Sequence, residues 1–362
     1  MPQDSKYVLV GSTQACSGKS ATIIGAAYQL KNKGVAIGYG KPLGNYFSQE
    51  DAQTREEDVS FLSQALELPA SHTKYPFVFS NPQTIEKRMQ GEDVVDYNFS
   101  LEQYVQDIAG DIVFIEGPSN LNEGSLFNLS LQHIAEVIGA PVLLVTRFHT
   151  ETLIDEILAA KQQLGERLLG VVINDVPPEE FESGQVLIKS FLEKQGIPVL
   201  GLLPCNNLLR SVSVRELVSQ LDAKVLCRSD RLDLMVETLA IGAMNVNSAL
   251  EYFRQGRNMG VVTGGDRKDL QMAALETSTS CLILTGHSSP HPDIIQRADD
   301  LEVPILSVDL DTLSTVEIAD YAFGQVRLQE PIKVMCIQQL MQDSFDVDRF
   351  LQLLGLDPVV SV

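Results

Sequence analysis

Six short apolar runs, each separated from the next by a stretch long enough for a helix, constrain the fold of this chain more than any other feature. They are Tyr7–Val10, Val35–Tyr39, Ile112–Ile115, Val142–Val145, Leu169–Ile173 and Val199–Leu203. They are rich in Val, Ile and Leu with little polar alternation, the pattern of strands buried on both faces. Repeated strand-helix units of this kind predict a parallel sheet covered by helices on both sides. Gly34, Gly110, Gly196 and the Gly139–Pro141 stretch end the intervening helices just before the strands. The rhythm breaks between about Gln49 and Ser100, where Pro69, Pro76 and Pro82 punctuate short periodic pieces. That segment reads as an insertion of helices and loops beside the sheet.

After Pro204 a second α/β series begins, with strands predicted at Val225–Cys227, Met259–Val262, Cys281–Leu284 and Ile305–Val308. Helical stretches fall at Val214–Leu221, Val246–Arg254, Lys268–Glu276, Asp293–Asp300 and Leu313–Ala322, and again at Ile337–Met341 and Phe350–Leu354. The expected organisation is a nucleotide-binding domain over residues 1–210, a smaller α/β domain over 211–328 and a helical tail over 329–362.

The phosphate-binding candidate lies directly after the first strand. Gly11-Ser12-Thr13-Gln14-Ala15-Cys16-Ser17-Gly18-Lys19-Ser20 sits between a predicted strand and a predicted helix, the context a P-loop requires. Backbone N–H groups of such a loop, here from Thr13 through Ser20, point at bound phosphates. Gly18 allows close backbone approach, Lys19 reaches the β- and γ-phosphates, and the Ser20 hydroxyl ligates Mg²⁺ accompanying ATP. Thr13 departs from the standard pattern, which has glycine there. The alternative is a strand-to-helix turn with a capping Ser and a surface Lys. Cys16, near a helix N-terminus, is either a redox-sensitive thiol or a passive loop residue.

Ligands of open α/β sheets bind at the carboxyl ends of the strands. Lys41-Pro42 follows the second strand, and Glu116-Gly117-Pro118 follows the third. Glu116 could ligate Mg²⁺ or position water; alternatively it is an exposed loop glutamate. Asp58 is a second acidic candidate; alternatively it is the solvated start of a helix in the charged run Arg55–Asp58.

The formal charge of −21, from 27 basic and 48 acidic residues, repels nucleic acid and anionic membrane surfaces, so neither is expected as a partner. No apolar run approaches the ~20 residues of a membrane span, and the first run is too short for a signal-peptide core. A cytoplasmic protein is expected. The five cysteines are widely spaced without C-x-x-C, which supports neither a disulfide framework nor a zinc site.

The Thr13–Ser20 loop, Lys41-Pro42, Asp58, Glu116-Gly117, Val171-Val172-Ile173-Asn174 and Gly201-Leu202-Leu203-Pro204 together resemble dethiobiotin synthetase and the related N-terminal domain of long phosphate acetyltransferases. The resemblance implies that Lys41 faces substrate and phosphate, that Asp58 and Glu116 help to hold Mg²⁺, and that Asn174 contacts adenine. Asn174 could otherwise be a turn residue before Pro177-Pro178. The loop is one residue longer than in the synthetase, with Ser17 before Gly18. Pro118-Ser119-Asn120-Leu121 replaces the glycine-rich stretch that helps to receive the small substrate there.

Gly260-Val261-Val262-Thr263-Gly264-Gly265-Asp266-Arg267, with Ala273-Ala274-Leu275-Glu276 and Leu282-Ile283-Leu284-Thr285-Gly286, resembles a DRTGG domain. Such domains are regarded as regulatory or dimerising. The paired glycines allow positive φ and close approach of another backbone or a ligand, or else form a plain tight turn, and Asp266 is expected to cap the next helix. His287 and His291 flank a Pro-containing loop that argues against a metal site. In the long acetyltransferases a catalytic domain follows; no counterpart is recognised in these 362 residues, so acetyl transfer to phosphate is not expected of them.

The expected function is an ATP-binding, slowly hydrolysing regulatory protein. It would form a homodimer or higher homo-oligomer through the DRTGG-like part and contact a metabolite or protein partner. An ATP-dependent ligase that activates a carboxylate or carbamate, with Lys19, Lys41 and Glu116 as its catalytic groups, is the second reading. A scaffold with a decayed nucleotide site is the third.

Overall fold

The computed structural model describes residues 6–45, 57–149, 151–286, 289–324, 328 and 330–356. The chain divides into two compact units. Met1–Cys205 and Gln329–Val362 form the first, and Asn206–Leu328 forms the second.

The first unit is built on seven parallel strands: β1 (Lys6–Ser12), β2 (Ile37–Gly40), β3 (Thr73–Lys74), β4 (Ile112–Glu116), β5 (Val142–Arg147), β6 (Leu168–Val176) and β7 (Val199–Pro204). Their order is β3-β2-β4-β1-β5-β6-β7. The chain winds to one side of β1 first and to the other side afterwards, so the carboxyl end of β1 is a switch point where a ligand crevice opens. Each of the six apolar runs contributes a strand to this sheet. The inserted segment also contributes to it, with Thr73–Lys74 adding an edge strand beside β2, while Val78–Ser80 of the same segment pairs with Leu43–Asn45 in a separate two-stranded sheet. Strands this short carry no periodic signal, which is why the sequence suggested only helices and loops. Part of that segment, residues 49–56, lies outside the described residues.

Strand alternation sorts the side chains onto two faces. Leu9, Val113, Ile115, Leu144, Val171 and Ile173 pack with Leu101, Ile134, Ile157 and Leu192 from helices on one face. Phe114, Glu116 and Tyr39 point to the opposite face, which α1 (Lys19–Asn32) covers with Ile23, Ile24, Ala27 and Leu30, all fully buried.

The closing segment, set apart as a tail by its sequence position, belongs to this same face. The helix Pro331–Ser344 lies on α1, where Gly25 leaves the room that Met341 fills, and Gln29 Nε2 donates to the Met341 carbonyl at 2.8 Å. Phe350, in the helix Val347–Leu353, stacks against Phe114 with ring centroids 6.3 Å apart. Arg349 donates through both terminal nitrogens to Glu193, at 2.6 and 2.7 Å. The Asp346 amide bonds the Leu200 carbonyl of edge strand β7 at 2.8 Å, covering part of an exposed edge.

The second unit has a five-stranded sheet of β8 (Lys224–Cys227), β9 (Thr238–Gly242), β10 (Met259–Gly264), β11 (Thr279–Thr285) and β12 (Ile305–Val308), in the order β8-β12-β11-β10-β9. β8 runs antiparallel to β12 and the others are parallel. From β9 to β12 the chain moves in one direction, so right-handed crossovers place the three connecting helices on one face. Ala249, Phe253, Leu270, Ala274, Ile294 and Ala298 fill that face; Val214, Leu217, Ala319 and Ala322 cover the other. β9 was not expected from the sequence: Thr-Leu-Ala-Ile-Gly is short and half of it is small.

Two local expectations are corrected here. Neither Gly264 nor Gly265 takes a positive φ. The nearest atom a Cβ at Gly264 would meet is the end of the exposed Asp266 side chain, Oδ1 at 2.6 Å, rather than another backbone. Arg267, not Asp266, occupies the cap position of Lys268–Leu275, with no side-chain cap bond. The turn is held from inside by Gln271, fully buried, which donates from Nε2 to the carbonyls of Gly264 (2.8 Å) and Gly265 (3.0 Å). His291 caps the helix Pro292–Asp300 through the Asp293 amide, whereas His287 lies outside the described residues. Among the described residues no helix is long and apolar enough to cross a membrane.

Candidate functional site

The loop after β1 wraps around the start of α1. Gly18 takes the left-handed conformation, with φ +99°, and precedes the first helical turn. A Cβ there would run into the Asn174 side-chain amide. Gly18→Ala therefore faces both an unfavourable dihedral and a clash. It is expected to destabilise the unit by about 1 kcal/mol or more and to remove nucleotide-dependent stabilisation, as read by thermal melts with and without Mg·ATP. Cys16 also lies at positive φ, +56°, and is exposed, as is Ala15.

Side chains brace the loop from three sides. Ser17 Oγ donates to the Gln14 carbonyl at 2.7 Å, and Asn174 Nδ2 donates to the Ser17 carbonyl at 3.0 Å. Thr13 and Thr146 share a hydroxyl hydrogen bond of 3.0 Å, and Gln14 contacts the His149 ring. Asn174 thus sits within β6, next to the loop, rather than in a turn after the strand.

Lys19 Nζ donates to Ser12 Oγ at 2.9 Å, and Ser12 Oγ in turn donates to the Ser119 carbonyl at 2.8 Å. Burial lowers the pKa of this ammonium; Glu116 pulls it up, while the Lys41 charge pushes it down again. The desolvated cation is suited to an anion that replaces the lost water.

Glu116, at the carboxyl end of β4, is 5% exposed. Its Oε1 accepts from Ser20 Oγ at 3.0 Å, and its Oε2 accepts from the Tyr39 hydroxyl at 2.7 Å. Lys41 is 4% exposed, and its ammonium pairs with Asp58 Oδ2 at 3.2 Å. Its backbone N–H donates to the Tyr104 hydroxyl at 2.8 Å. The structure therefore brings Ser20 to Glu116 and Lys41 to Asp58, with Lys19 in the field of both Glu116 and Lys41.

Among the described residues no three His, Cys, Asp or Glu side chains gather into a metal cage. The donors present, a hydroxyl and one carboxylate at a phosphate loop, fit Mg²⁺, which keeps waters and takes substrate phosphates as ligands.

Tyr39 and Glu123, like Thr146, His149 and Tyr104, were not singled out from the sequence. Tyr39 lies in Gly38-Tyr39-Gly40, and a lone aromatic hydroxyl in a buried run needs a partner, which is a readable signal. Glu123 accepts from the Ser119 amide and acts electrostatically on Lys19. Nothing in its sequence surroundings marks it out.

The AAA domain family model matches residues 6–213, and the DRTGG domain model matches residues 216–322. Phosphate acetyltransferase of Synechocystis is 24% identical over 363 residues, covering 95% of this chain and 51% of that protein. ATP-dependent dethiobiotin synthetase of Bacillus licheniformis is 25% identical over 212 residues, covering 55% of this chain and 86% of that protein. The chain spans about half the length of the phosphate acetyltransferases it matches. The CBS and DRTGG domains of the regulatory region of Clostridium perfringens pyrophosphatase align with 48% of this chain and 86% of that one, at 18% identity and a TM-score of 0.29.

Proposed function

We propose, because this chain belongs to the AAA domain family and continues into a DRTGG domain, that it binds Mg·ATP on Gly11–Ser20 and uses the nucleotide state to regulate what the DRTGG unit does. The observation that carries this reading is the convergence of the desolvated Lys19 with the Ser20–Glu116 pair at one phosphate loop. The loop amides and Lys19 would take the β- and γ-phosphates, and Ser20 with Glu116 would hold the ion. Mg²⁺, when bound, neutralises charge on the phosphates. Asn174, beside Ser17, holds the loop in shape and lines the side from which the base would approach. Both ends of the DRTGG unit are covalently joined to the nucleotide unit, at Cys205 and Gln329, which supports coupling between them. Its ligand would be a metabolite, a protein partner or a second copy of the chain.

The second reading is favoured by one observation. Lys41 is buried within electrostatic reach of Lys19, and two cations at one phosphate suit transfer as well as binding. In that reading a carboxylate or carbamate oxygen attacks the γ-phosphorus, an acyl phosphate forms, and ADP leaves. Asp58 would then orient Lys41.

Release of ADP, followed with and without a panel of carboxylates and amines, separates the two. Mg·ATP is expected to raise the melting temperature while the panel leaves the slow basal rate unchanged. Stimulation by any member establishes the ligase reading instead. No response of the melting temperature to Mg·ATP leaves the scaffold.

A further inference from the structure

We propose that Tyr39 is a positioning residue that sets the ion preference of this site, holding the Glu116 carboxylate so that it offers one oxygen and thereby favouring Mg²⁺ over Ca²⁺. The inference rests on the reading of Ser20 and Glu116 as the ion-holding pair.

The placement follows from strand geometry. Tyr39 lies opposite Phe114 in the β2–β4 register, and Glu116 is two residues further along the same face. Its neighbours Gly38 and Gly40 turn toward the other face, against Ile108 and Tyr104. Tyr39 is fully buried, so its hydroxyl must find an acceptor, and it donates to Glu116 Oε2 at 2.7 Å. The opposite oxygen, Oε1, faces Ser20 at 3.0 Å. A carboxylate whose Oε2 already accepts the Tyr39 hydroxyl has one lone-pair site taken and its orientation fixed, which disfavours giving both oxygens to a single ion.

That constraint discriminates between hard cations. Ca²⁺ takes six to eight oxygens and commonly uses both oxygens of a carboxylate, whereas Mg²⁺ takes six in octahedral array and accepts one oxygen from each. Removing the hydroxyl frees Oε2 and lets the carboxylate rotate. Loss of an outer-shell partner of a ligating group lowers metal affinity by roughly ten- to a hundredfold.

The test is calorimetric titration of ATP into the full chain in MgCl₂ and, separately, in CaCl₂, with wild type, Tyr39→Phe, Glu116→Gln and the double variant. In Tyr39→Phe, affinity in Mg²⁺ is expected to fall about tenfold while affinity in Ca²⁺ holds or rises, so the ratio of the two shifts toward Ca²⁺. In the Glu116→Gln background the hydroxyl should no longer matter to that ratio. A variant that loses affinity equally in both ions, or in neither, overturns the role given to Tyr39, and so does a ratio shift that persists without the Glu116 carboxylate. A wild type that binds ATP with neither ion overturns the nucleotide site itself, a distinct failure. Should Tyr39→Phe not fold, Glu116→Asp takes its place, since the shorter carboxylate keeps its charge but withdraws from the Tyr39 hydroxyl: a shift of the ratio toward Ca²⁺ supports the proposal and an unchanged ratio overturns it.

Discussion

Lys19→Ala should show no rise in melting temperature on addition of Mg·ATP, whereas the wild-type chain rises. A ligand present at a hundred times its dissociation constant stabilises the folded state by about 2.7 kcal/mol. For a unit of this size that is a shift of several degrees, at roughly 2–4 °C per kcal/mol. Removing the ammonium removes the charge that faces the phosphates, so the shift disappears. Without nucleotide the sign reverses. The folded-state pKa of Lys19 lies below its unfolded value because burial disfavours the charge. Below the folded value both states carry the proton, and the burial penalty is fully present. Between the folded and the ordinary lysine value the unfolded chain binds more protons, so stability rises with pH. Nucleotide-free Lys19→Met, which keeps the aliphatic stem, should therefore be at least as stable as wild type at neutral pH. Its advantage should shrink as pH climbs through that window. Melts of both proteins across pH, with and without Mg·ATP, check both halves. A variant that still responds to Mg·ATP counts against the site, and a nucleotide-free variant that is less stable counts against the desolvated lysine.

Phe350→Ala should destabilise the nucleotide-binding unit by about 3–5 kcal/mol, the usual effect of truncating a buried Phe. Its ring is fully buried, stacks on Phe114 of β4, and lies 5.7 Å from the Phe345 ring. Phe114 is two residues from Glu116, so loosening this contact disturbs the strand that carries the carboxylate. Urea denaturation followed by far-UV circular dichroism gives the loss of stability, and the Mg·ATP melt reports the site. Were the closing helices an appendage, the variant would unfold at the wild-type midpoint. The Lys33–Asp348 pair at 3.0 Å, a half-buried lysine with an exposed aspartate, makes the contrast, since ion pairs at the surface contribute about 0–1 kcal/mol. Asp348→Ala should barely move the midpoint.

The parts of the site legible in the sequence are those whose geometry is local. Gly18 adopts φ +99° and Lys19 opens α1 because strand, loop and helix are contiguous, so ten residues contain their own explanation. Glu116 was legible at one remove, as the polar end of an apolar run. Other features depended on partners far along the chain. Asn174 reaches Ser17 across 157 residues and Tyr39 reaches Glu116 across 77, and no spacing rule covers either. Asp266 shows the limit of local rules: an acidic residue before a helix read as its cap, yet the chain path puts Arg267 there.

The sequence by itself determined the alternation of buried strands and helices, the phosphate loop at the end of β1, and the two-part character of the chain. Periodicity and loop chemistry act over a few residues, so they survive reading in one dimension. Only the tertiary structure decided that the closing segment covers α1, that the Glu116 carboxylate is shared between Ser20 and Tyr39, and that Lys41 is held by Asp58. Each of those depends on burial, which removes water and obliges polar groups to find partners wherever the fold has brought them.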